Sequence, residues 1–385
     1  MSMFPKESYA RCLPVILAGF LFLLTGFRFP LRSEYDQIET VDPDASAETR
    51  ALYYNLGQLS EEHVLVGHQD ALAYGVNWKD WHKRRSDMHD IYGQHPALVG
   101  WELSKLGSSA LNIDSVRFDE MQGWIKQVYK MGGVNTISWH MDNFVTGGNS
   151  WEVGERVVAT ILPGGVHHED FKAKLDHFAE FVEELEVGWF RKRKIPIIFR
   201  PWHEHTGSWF WWGKNHCTAE EYKALFRFTV EYLRDEKGLH NLLYCYSPDV
   251  FEDEAHYMER YPGDEYVDIL GVDDYHDVGD KNDIDALLKR LRMVVSLAKG
   301  RNKIAVLSET GYETIPRADW WTKTILEPIK NDPVASRISY LMFWRNARLS
   351  HHYGPFPGHS SVPDFLRFAE DEFTLFANDL PKLYR

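Results

Sequence analysis

The sequence contains very little cysteine. Its 385 residues include only Cys12, Cys217 and Cys245, and no Cys-x-x-Cys pair or Cys/His spacing typical of a zinc site occurs. Two or three cysteines do not make a disulfide framework, although Cys217 and Cys245 either pair in an oxidising compartment or remain two separate thiols. The sequence therefore excludes a small disulfide-stabilised domain and a cysteine-based zinc fold.

Nucleotide-binding loops are missing, and positive charge is scarce. Neither a Gly-x-Gly-x-x-Gly loop nor a Gly-Lys-Ser/Thr loop is present. The chain has 43 Lys and Arg against 57 Asp and Glu, a formal net charge of -14. Such an acidic chain argues against nucleic acid and anionic membrane surfaces as partners. We expect an uncharged ligand.

Long apolar runs are also missing, apart from a short one near the start. The run Leu13–Leu24 follows Lys6 and Arg11 and is too short to span a bilayer comfortably. It is typical of a signal peptide, which predicts that residues 1–33 direct export. No clear Ala-x-Ala cleavage site follows the run, so an uncleaved anchor remains the alternative.

The rest of the chain alternates between short β-rich apolar runs and longer amphipathic segments. This alternation predicts a parallel sheet, and eight units without a long linker favour a single (β/α)8 barrel over residues 46–385. Ser46 to Leu59 predicts one extra N-terminal helix with Ser46 as its N-cap. Further helices are predicted at Phe171–Leu185, after the capping box Thr218–Glu221, and at Pro363–Phe376. The eight predicted strands are 63–67, 97–101, 134–138, 195–199, 241–245, 267–271, 303–307 and 338–343.

Two carboxylates follow strands that lie opposite each other in such a barrel. Glu204 comes after the fourth strand and Glu309 at the tip of the seventh, and a barrel places its active site at these carboxyl ends. Paired carboxylates that face one substrate are the working groups of a glycosidase. A salt bridge to Arg200 or Arg345 is the structural alternative for a single glutamate, and either arginine would favour an ionised Glu309.

Aromatic residues are abundant, and they crowd around Glu204. The chain has 14 tryptophans, and four of them fall in the segment RPWHEHTGSWFWWG, residues 200–213. Apolar sugar faces stack on aromatic rings, so this composition predicts a neutral, polyhydroxylated ligand. On this interpretation the tryptophans of the segment surround the sugar.

Histidine and aspartate clusters raise the possibility of a metal site. His203 and His205 form a His-x-His pair, but the His-Glu-x-x-His motif is absent, and orienting Glu204 or bonding a sugar hydroxyl is the better role. Asp273 and Asp274 are interpreted as hydrogen-bonded structure at a strand end rather than as a Ca2+ or Mg2+ site. We expect neither a metal nor a cofactor. A metal-dependent barrel hydrolase and a non-catalytic sugar-binding barrel are the rival hypotheses.

Four motifs together resemble one known family. RPWHEHTGSWFWWG, GDEYVDILGVDDYH, LSETG and GGVNTISWHMDN are similar to segments of glycoside hydrolase family 26, specifically its β-1,4-mannanases. The resemblance runs from about residue 46 to the C-terminus. It implies a (β/α)8 fold, retention of anomeric configuration and a β-mannan substrate.

The resemblance also assigns roles to individual residues. It makes Glu204 the acid/base, Glu309 the nucleophile, and Tyr275 a group that holds the nucleophile in place. It implies endo action on β-mannan polysaccharides and manno-oligosaccharides, with exo-acting release of mannobiose as the alternative. We also expect a monomer. The residues expected around the cleaved sugar are His140, Trp151, His203, Trp209, Tyr275, Trp344 and Arg345.

Overall fold

The structure is a computed structural model that describes residue 35 and residues 38–79, 85–154 and 156–385. The predicted signal peptide, residues 1–33, lies outside the described residues. Among the described residues, no helix has the length and apolar character needed to cross a bilayer.

Eight parallel strands close into a barrel. Each strand pairs with the next along the chain, and the first pairs with the eighth, with Leu65 opposite Tyr340. The predicted (β/α)8 barrel is therefore confirmed. The strands are Val64–Gln69 (β1), Leu98–Glu102 (β2), Val134–Ser138 (β3), Ile197–Arg200 (β4), Leu242–Tyr246 (β5), Ile269–Asp274 (β6), Ile304–Thr310 (β7) and Tyr340–Phe343 (β8).

Helices surround this barrel, and all but the first and last follow a barrel strand in the chain and precede the next. The capping box predicted from the sequence is formed by Thr218 and Glu221. The α-helices are Ala47–Leu59 (α1), Asp87–Tyr92 (α2), Phe118–Lys130 (α3), Val157–Ile161 (α4), His168–Glu183 (α5), Ala219–Glu231 (α6), Glu254–Met258 (α7), Ile284–Gly300 (α8), Glu327–Lys330 (α9) and Val362–Ala369 (α10).

The helix predicted at Pro363–Phe376 is wrong in its second half. Helix α10 ends at Ala369, and Thr374–Leu375 forms a short strand that pairs with β1. The Asp371 carboxylate accepts from the backbone N–H of Phe373, and the Thr374 hydroxyl donates to the Phe368 carbonyl. These local bonds replace the next helical turn with a turn and an edge strand.

Helix α1 closes the amino end of the barrel, which we call the underside. Ser46 caps it, because its hydroxyl accepts from the backbone N–H of Thr49. Leu52 and Leu56 are fully buried against residues that fill the barrel interior, such as Leu243. The predicted extra helix is therefore present, and it makes the underside a packed apolar core.

Two cysteines lie within the described residues, and both are buried and unpaired. Cys245 lies in β5 and Cys217 lies just before α6. The alternative of two separate thiols is therefore the correct one. The fold carries no disulfide between these two positions.

Candidate active site

The carboxyl end of the barrel, which we call the mouth, holds Glu204 in a tight turn after β4. Trp202 and Glu204 both have left-handed backbones, with φ of 56° and 54°. Such conformations are costly for residues other than glycine and persist where the surroundings enforce them. Here the Glu204 N–H donates to the Ser247 carbonyl at 2.8 Å, and the Tyr222 hydroxyl donates to the Trp202 carbonyl. Neighbouring elements therefore fix the direction of the Glu204 side chain.

Three of the four tryptophans in the segment are structural. Trp202, Trp211 and Trp212 are almost completely buried. The Trp211 and Trp212 indoles donate to the carbonyls of Met141 and His203, both at 2.9 Å. The interpretation of these three as sugar platforms is wrong, because all three pack inward, and the Trp202 indole donates to the Thr229 hydroxyl at 3.1 Å.

The fourth tryptophan of the segment, Trp209, contacts Glu204 directly. Its indole N–H donates to Glu204 Oε2 at 2.7 Å, and the ring is 37% exposed. Burial, reinforced by the nearby charge of Glu309, raises the pKa of Glu204 to about 8, while the Trp209 bond acts in the opposite direction. Glu204 therefore carries a proton at neutral pH.

Glu309, at the end of β7, has two fixed partners. The Arg200 guanidinium contacts one carboxylate oxygen, and the Tyr275 hydroxyl donates to the other at 2.8 Å. Arg200 also donates to Asp273 at 2.8 Å, so one cation lies between two buried carboxylates. Of the two arginines considered from the sequence, Arg200 is the one beside Glu309.

A second hydrogen-bonded group begins at the end of β2, with Glu102, which the sequence analysis did not assign to the site. The buried Glu102 carboxylate binds both the backbone N–H and Nδ1 of His140, at 2.9 and 2.6 Å. Nε2 of His140 lies 3.3 Å from Nε2 of His203. Burial, reinforced by Arg200, lowers the pKa of His203. The position of Glu102 could have pointed to it, because it is a carboxylate at the end of β2, two strands before the strand that precedes Glu204.

These groups surround one open cavity of about 360 Å³. Trp151 closes one side, with its ring stacked on His140 at a centroid distance of 4.9 Å. The sequence did not point to Tyr312 or Tyr353, which also line the cavity. The predicted site residues along its wall are His140, Trp151, His203, Glu204, Trp209, Tyr275, Glu309 and Trp344.

Arg345 is the predicted site residue that does not line this cavity. Its guanidinium pairs with Asp114, and it lines a separate cavity of about 460 Å³ together with Tyr74 and Trp78. Arg345 follows Trp344 directly, and the two side chains of consecutive residues point to different sides of the chain. The structure therefore places Arg345 outside the cavity in which the shell around the cleaved sugar was expected.

The geometry also bears on the metal hypotheses. Oxygen atoms of Glu204, Asp273 and Glu309 all lie within 4.8 Å of one another, so that among the described residues these three are near enough to hold one metal ion. Arg200 already supplies positive charge to two of them. The rings of the His-x-His pair face different neighbours, because His205 packs on Tyr222 with centroids 4.2 Å apart. The pair therefore offers no common ligand position.

Comparison with known proteins adds three findings. The family model "Glycosyl hydrolase family 26" matches residues 41–346. A Bifidobacterium adolescentis "Mannan endo-1,4-beta-mannosidase" is 32% identical over 90% of this chain and 36% of its own length, so the chain spans about a third of that relative. A Bacillus subtilis protein of the same name is 30% identical over 66% of this chain and 71% of its own length.

The fold comparison agrees. The chain is similar to the solved structure of a GH26 beta-mannanase from Bacteroides ovatus, with a TM-score of 0.83 and 40% identity. The match covers 88% of this chain and 98% of that one. An endo-beta-1,4-mannanase from Cellulomonas fimi matches with a TM-score of 0.83 and 37% identity, over 90% of this chain and 79% of that one.

Proposed function

Because the chain belongs to glycosyl hydrolase family 26, we propose that it hydrolyses β-1,4-mannosidic bonds in mannan, glucomannan or galactomannan by double displacement. The observation that supports this most directly is the pair formed by Glu204 and Glu309. Their oxygens lie within 4.8 Å of each other. Carboxyl groups about 5–5.5 Å apart are typical of retaining glycosidases, whereas inverting ones need roughly 6.5–9.5 Å.

The two carboxylates have environments that suit different roles. Glu309, held by Arg200 and Tyr275, is the nucleophile that attacks the anomeric carbon. Glu204 donates its proton to the leaving glycosidic oxygen, and its pKa near 8 keeps that proton available at neutral pH. Once the covalent intermediate has formed, Glu204 removes a proton from the water that hydrolyses it.

The remaining residues of the cavity wall would bind the sugar. Trp151 and Trp344 offer ring faces, and His140 offers a ring that Glu102 orients. His203, which is neutral because its pKa is lowered, adds a polar group without a charge. Substrates are therefore β-mannan polysaccharides and manno-oligosaccharides, and the mixed polar and aromatic wall suits them. We place no metal or cofactor in the reaction.

Endo action is part of the proposal. The Bifidobacterium and Bacillus relatives are both named mannan endo-1,4-beta-mannosidases, and the cavity at the mouth is open. Endo cleavage produces mixed oligosaccharides early, together with a rapid fall in mannan viscosity. Release of mannobiose alone, with viscosity nearly constant, would show an exo-acting enzyme instead.

We also propose that the chain is exported and acts as a monomer. The support for export is the apolar run Leu13–Leu24 behind Lys6 and Arg11, which has the pattern of a signal peptide. Cell fractionation tests it, and a cytoplasmic pool alone would contradict it. Sedimentation of the purified protein tests the monomer.

The activity itself is tested by measuring new reducing ends on mannan, glucomannan, xylan and mixed-linkage glucan. We expect turnover on the two mannose-containing polymers and its loss in Glu309→Gln. Glu62→Gln is the matched control, because Glu62 is exposed and lies in the turn just before β1, away from the mouth. Full activity of Glu309→Gln, or turnover confined to xylan, would refute the proposal.

A further inference from the structure

The most exposed aromatic side chains among the described residues lie on the underside of the barrel. A hairpin formed by Glu186–Val187 and Arg193–Lys194 joins α5 to β4 and carries Trp189 and Phe190 at its tip. These side chains are 89% and 96% exposed. Two adjacent aromatic rings in water are unfavourable, and such patches mark interaction surfaces. Neither ring has a role in the proposed hydrolysis at the mouth.

Four basic residues follow the two rings directly in the sequence, from Arg191 to Lys194. Arg191 takes part in none of the ion pairs found among the described residues. Lys192 and Lys194 share Glu186, and Arg193 lies 4.0 Å from Glu48. The tip of the hairpin therefore presents two aromatic rings and a free cation.

A cavity of about 620 Å³ adjoins the hairpin and extends this surface. Val187, Gly188 and Arg193 of the hairpin form part of its wall, and no Asp or Glu side chain lines it. Apolar groups make up much of the rest, including Tyr129 and Leu383. The cations in the wall are Lys130, Arg193, Lys382 and Arg385. This cavity thus concentrates positive charge on a chain whose net charge is -14.

The position of this surface relative to the mouth is fixed by the barrel. The hairpin precedes β4, and Gly132 in the cavity wall precedes β3, so both lie at the amino ends of the strands. The segment before α1 runs along the same end, since the Ser46 N–H donates to the carbonyl of His240, just before β5. A partner bound at the underside would leave the mouth open to solution.

We propose that the underside docks on an anionic lipid surface. Trp189 and Phe190 enter the interfacial zone, and Arg191 with the cavity cations faces the lipid headgroups. Aromatic rings beside Lys and Arg are the combination that suits this zone, where rings meet acyl chains and cations meet phosphates. A neutral polysaccharide would use the rings but gives the cations no partner. This inference does not depend on the proposed hydrolysis.

Because the net charge of the chain is negative, the approach is directional. The basic hairpin and cavity attract an anionic surface, while the net negative charge of the whole chain opposes a close approach. Docking therefore orients the barrel with its mouth away from the membrane. The acidity of the whole sequence argued against such surfaces as partners, but a whole-chain charge does not describe the basic wall of this one cavity.

The test monitors the fluorescence of Trp189 itself, so that membrane binding through the apolar run Leu13–Leu24 cannot produce the same signal. The full chain is mixed with vesicles of phosphatidylcholine carrying brominated acyl chains, alone or with phosphatidylglycerol added. Bromine quenches tryptophans that reach the acyl region. We expect quenching with the anionic vesicles that Trp189→Phe removes and that added salt weakens. Trp151→Phe is the matched control, because that ring lies at the mouth and its loss leaves the quenching intact.

A charge variant tests the second half of the proposal. Arg191→Glu changes the charge by two units, and each unit weakens surface binding about five-fold. The half-saturating lipid concentration for the Trp189 signal rises accordingly. Wild-type hydrolysis of soluble mannan by Trp189→Phe and Arg191→Glu verifies that both variants are folded. Equal quenching with neutral and anionic vesicles, or none attributable to Trp189, overturns the proposal. Loss of binding to insoluble mannan in Trp189→Phe, without vesicle quenching, would assign the surface to sugar instead.

Discussion

The two ends of the barrel differ in what they bury. The mouth buries charge: Arg200, Asp273 and Glu309 are at most 3% exposed, yet all three carry ionisable groups. The underside buries hydrocarbon, with Leu52 and Leu56 of α1 filling the interior. Buried charge needs compensating partners, whereas buried hydrocarbon needs only close packing. The mouth therefore carries the groups needed for chemistry, whereas the apolar interior around α1 stabilises the fold.

Several buried polar atoms at the mouth have no hydrogen-bond partner in the protein. They include His203 Nδ1, both ring nitrogens of His205 and the Thr206 hydroxyl. Each such group costs about 1–3 kcal/mol unless water or a ligand binds it. The interior around α1 is filled by apolar side chains, so it has few polar groups to satisfy. The mouth is thus less stable than it would be if apolar, and substrate or water offsets the difference.

Removing Glu309 should have the largest effect and should affect the mouth alone. Glu309→Ala leaves no group to form the covalent intermediate, so kcat falls on every substrate, on the order of 10⁴-fold or more. The midpoint of thermal unfolding should change little or rise, because a buried charge is relieved while Arg200 keeps Asp273 as its partner. Kinetics and calorimetry on one sample check both halves. Substantial residual turnover would contradict the assignment of the nucleophile.

Glu204→Ala should come next, and its effect should depend on the leaving group. Loss of a general acid costs about 10²–10⁴-fold on mannan. An aryl mannoside with a good leaving group needs little protonation, so its first step should be slowed far less. Parallel assays on the two substrates give the comparison. Equal losses on both would rule out Glu204 as the acid.

A substitution at the underside should reverse the pattern by lowering stability without touching catalysis. Leu56→Ala removes a fully buried side chain from the contact between α1 and the barrel. The free energy of unfolding should fall by about 2–5 kcal/mol. Denaturant titration measures this loss, and kcat at low temperature should stay at the wild-type value. A large drop in kcat would show that the two ends are coupled.

The pH profile of kcat/KM should show the smallest effect. Because Glu204 acts as an acid and its pKa is raised to about 8, activity should persist below that pH and fall as pH rises through it. The Trp209 indole stabilises the ionised form of Glu204. Trp209→Phe should therefore move the alkaline limb upward, by less than about one pH unit for a single hydrogen bond. A downward shift would contradict this account of the site.

The sequence was sufficient for the barrel and for the position of its carboxylates. The ends of the strands can be recognised in the sequence because the apolar runs stop there. Their positions predicted that Glu204 and Glu309 both lie at the carboxyl end of the barrel. The sequence did not reveal which face of the chain the tryptophans occupy, so Trp211 and Trp212 were interpreted as sugar contacts rather than as core. Likewise, the sequence could not distinguish Arg200 from Arg345 as the partner of Glu309. The direction of each side chain decides which cavity the arginine lines, and the sequence does not reveal that direction. Tertiary packing decides these side-chain directions, and the hydrophobic periodicity of the sequence does not encode them.

The reactivity of the two buried thiols, Cys217 and Cys245, can report local opening of the fold around them. Thiol reagents attack the exposed thiolate, and burial raises the pKa of Cys245 to about 12, so both access and ionisation protect it. Cys245 reacts only when β5 separates from its neighbours, whereas Cys217 needs movement of the segment that precedes α6. Labelling rates followed by mass spectrometry would therefore time two separate events in one chain. Native-state fluctuations of the barrel wall and of the Trp209–Cys217 segment thus become measurable without adding a probe.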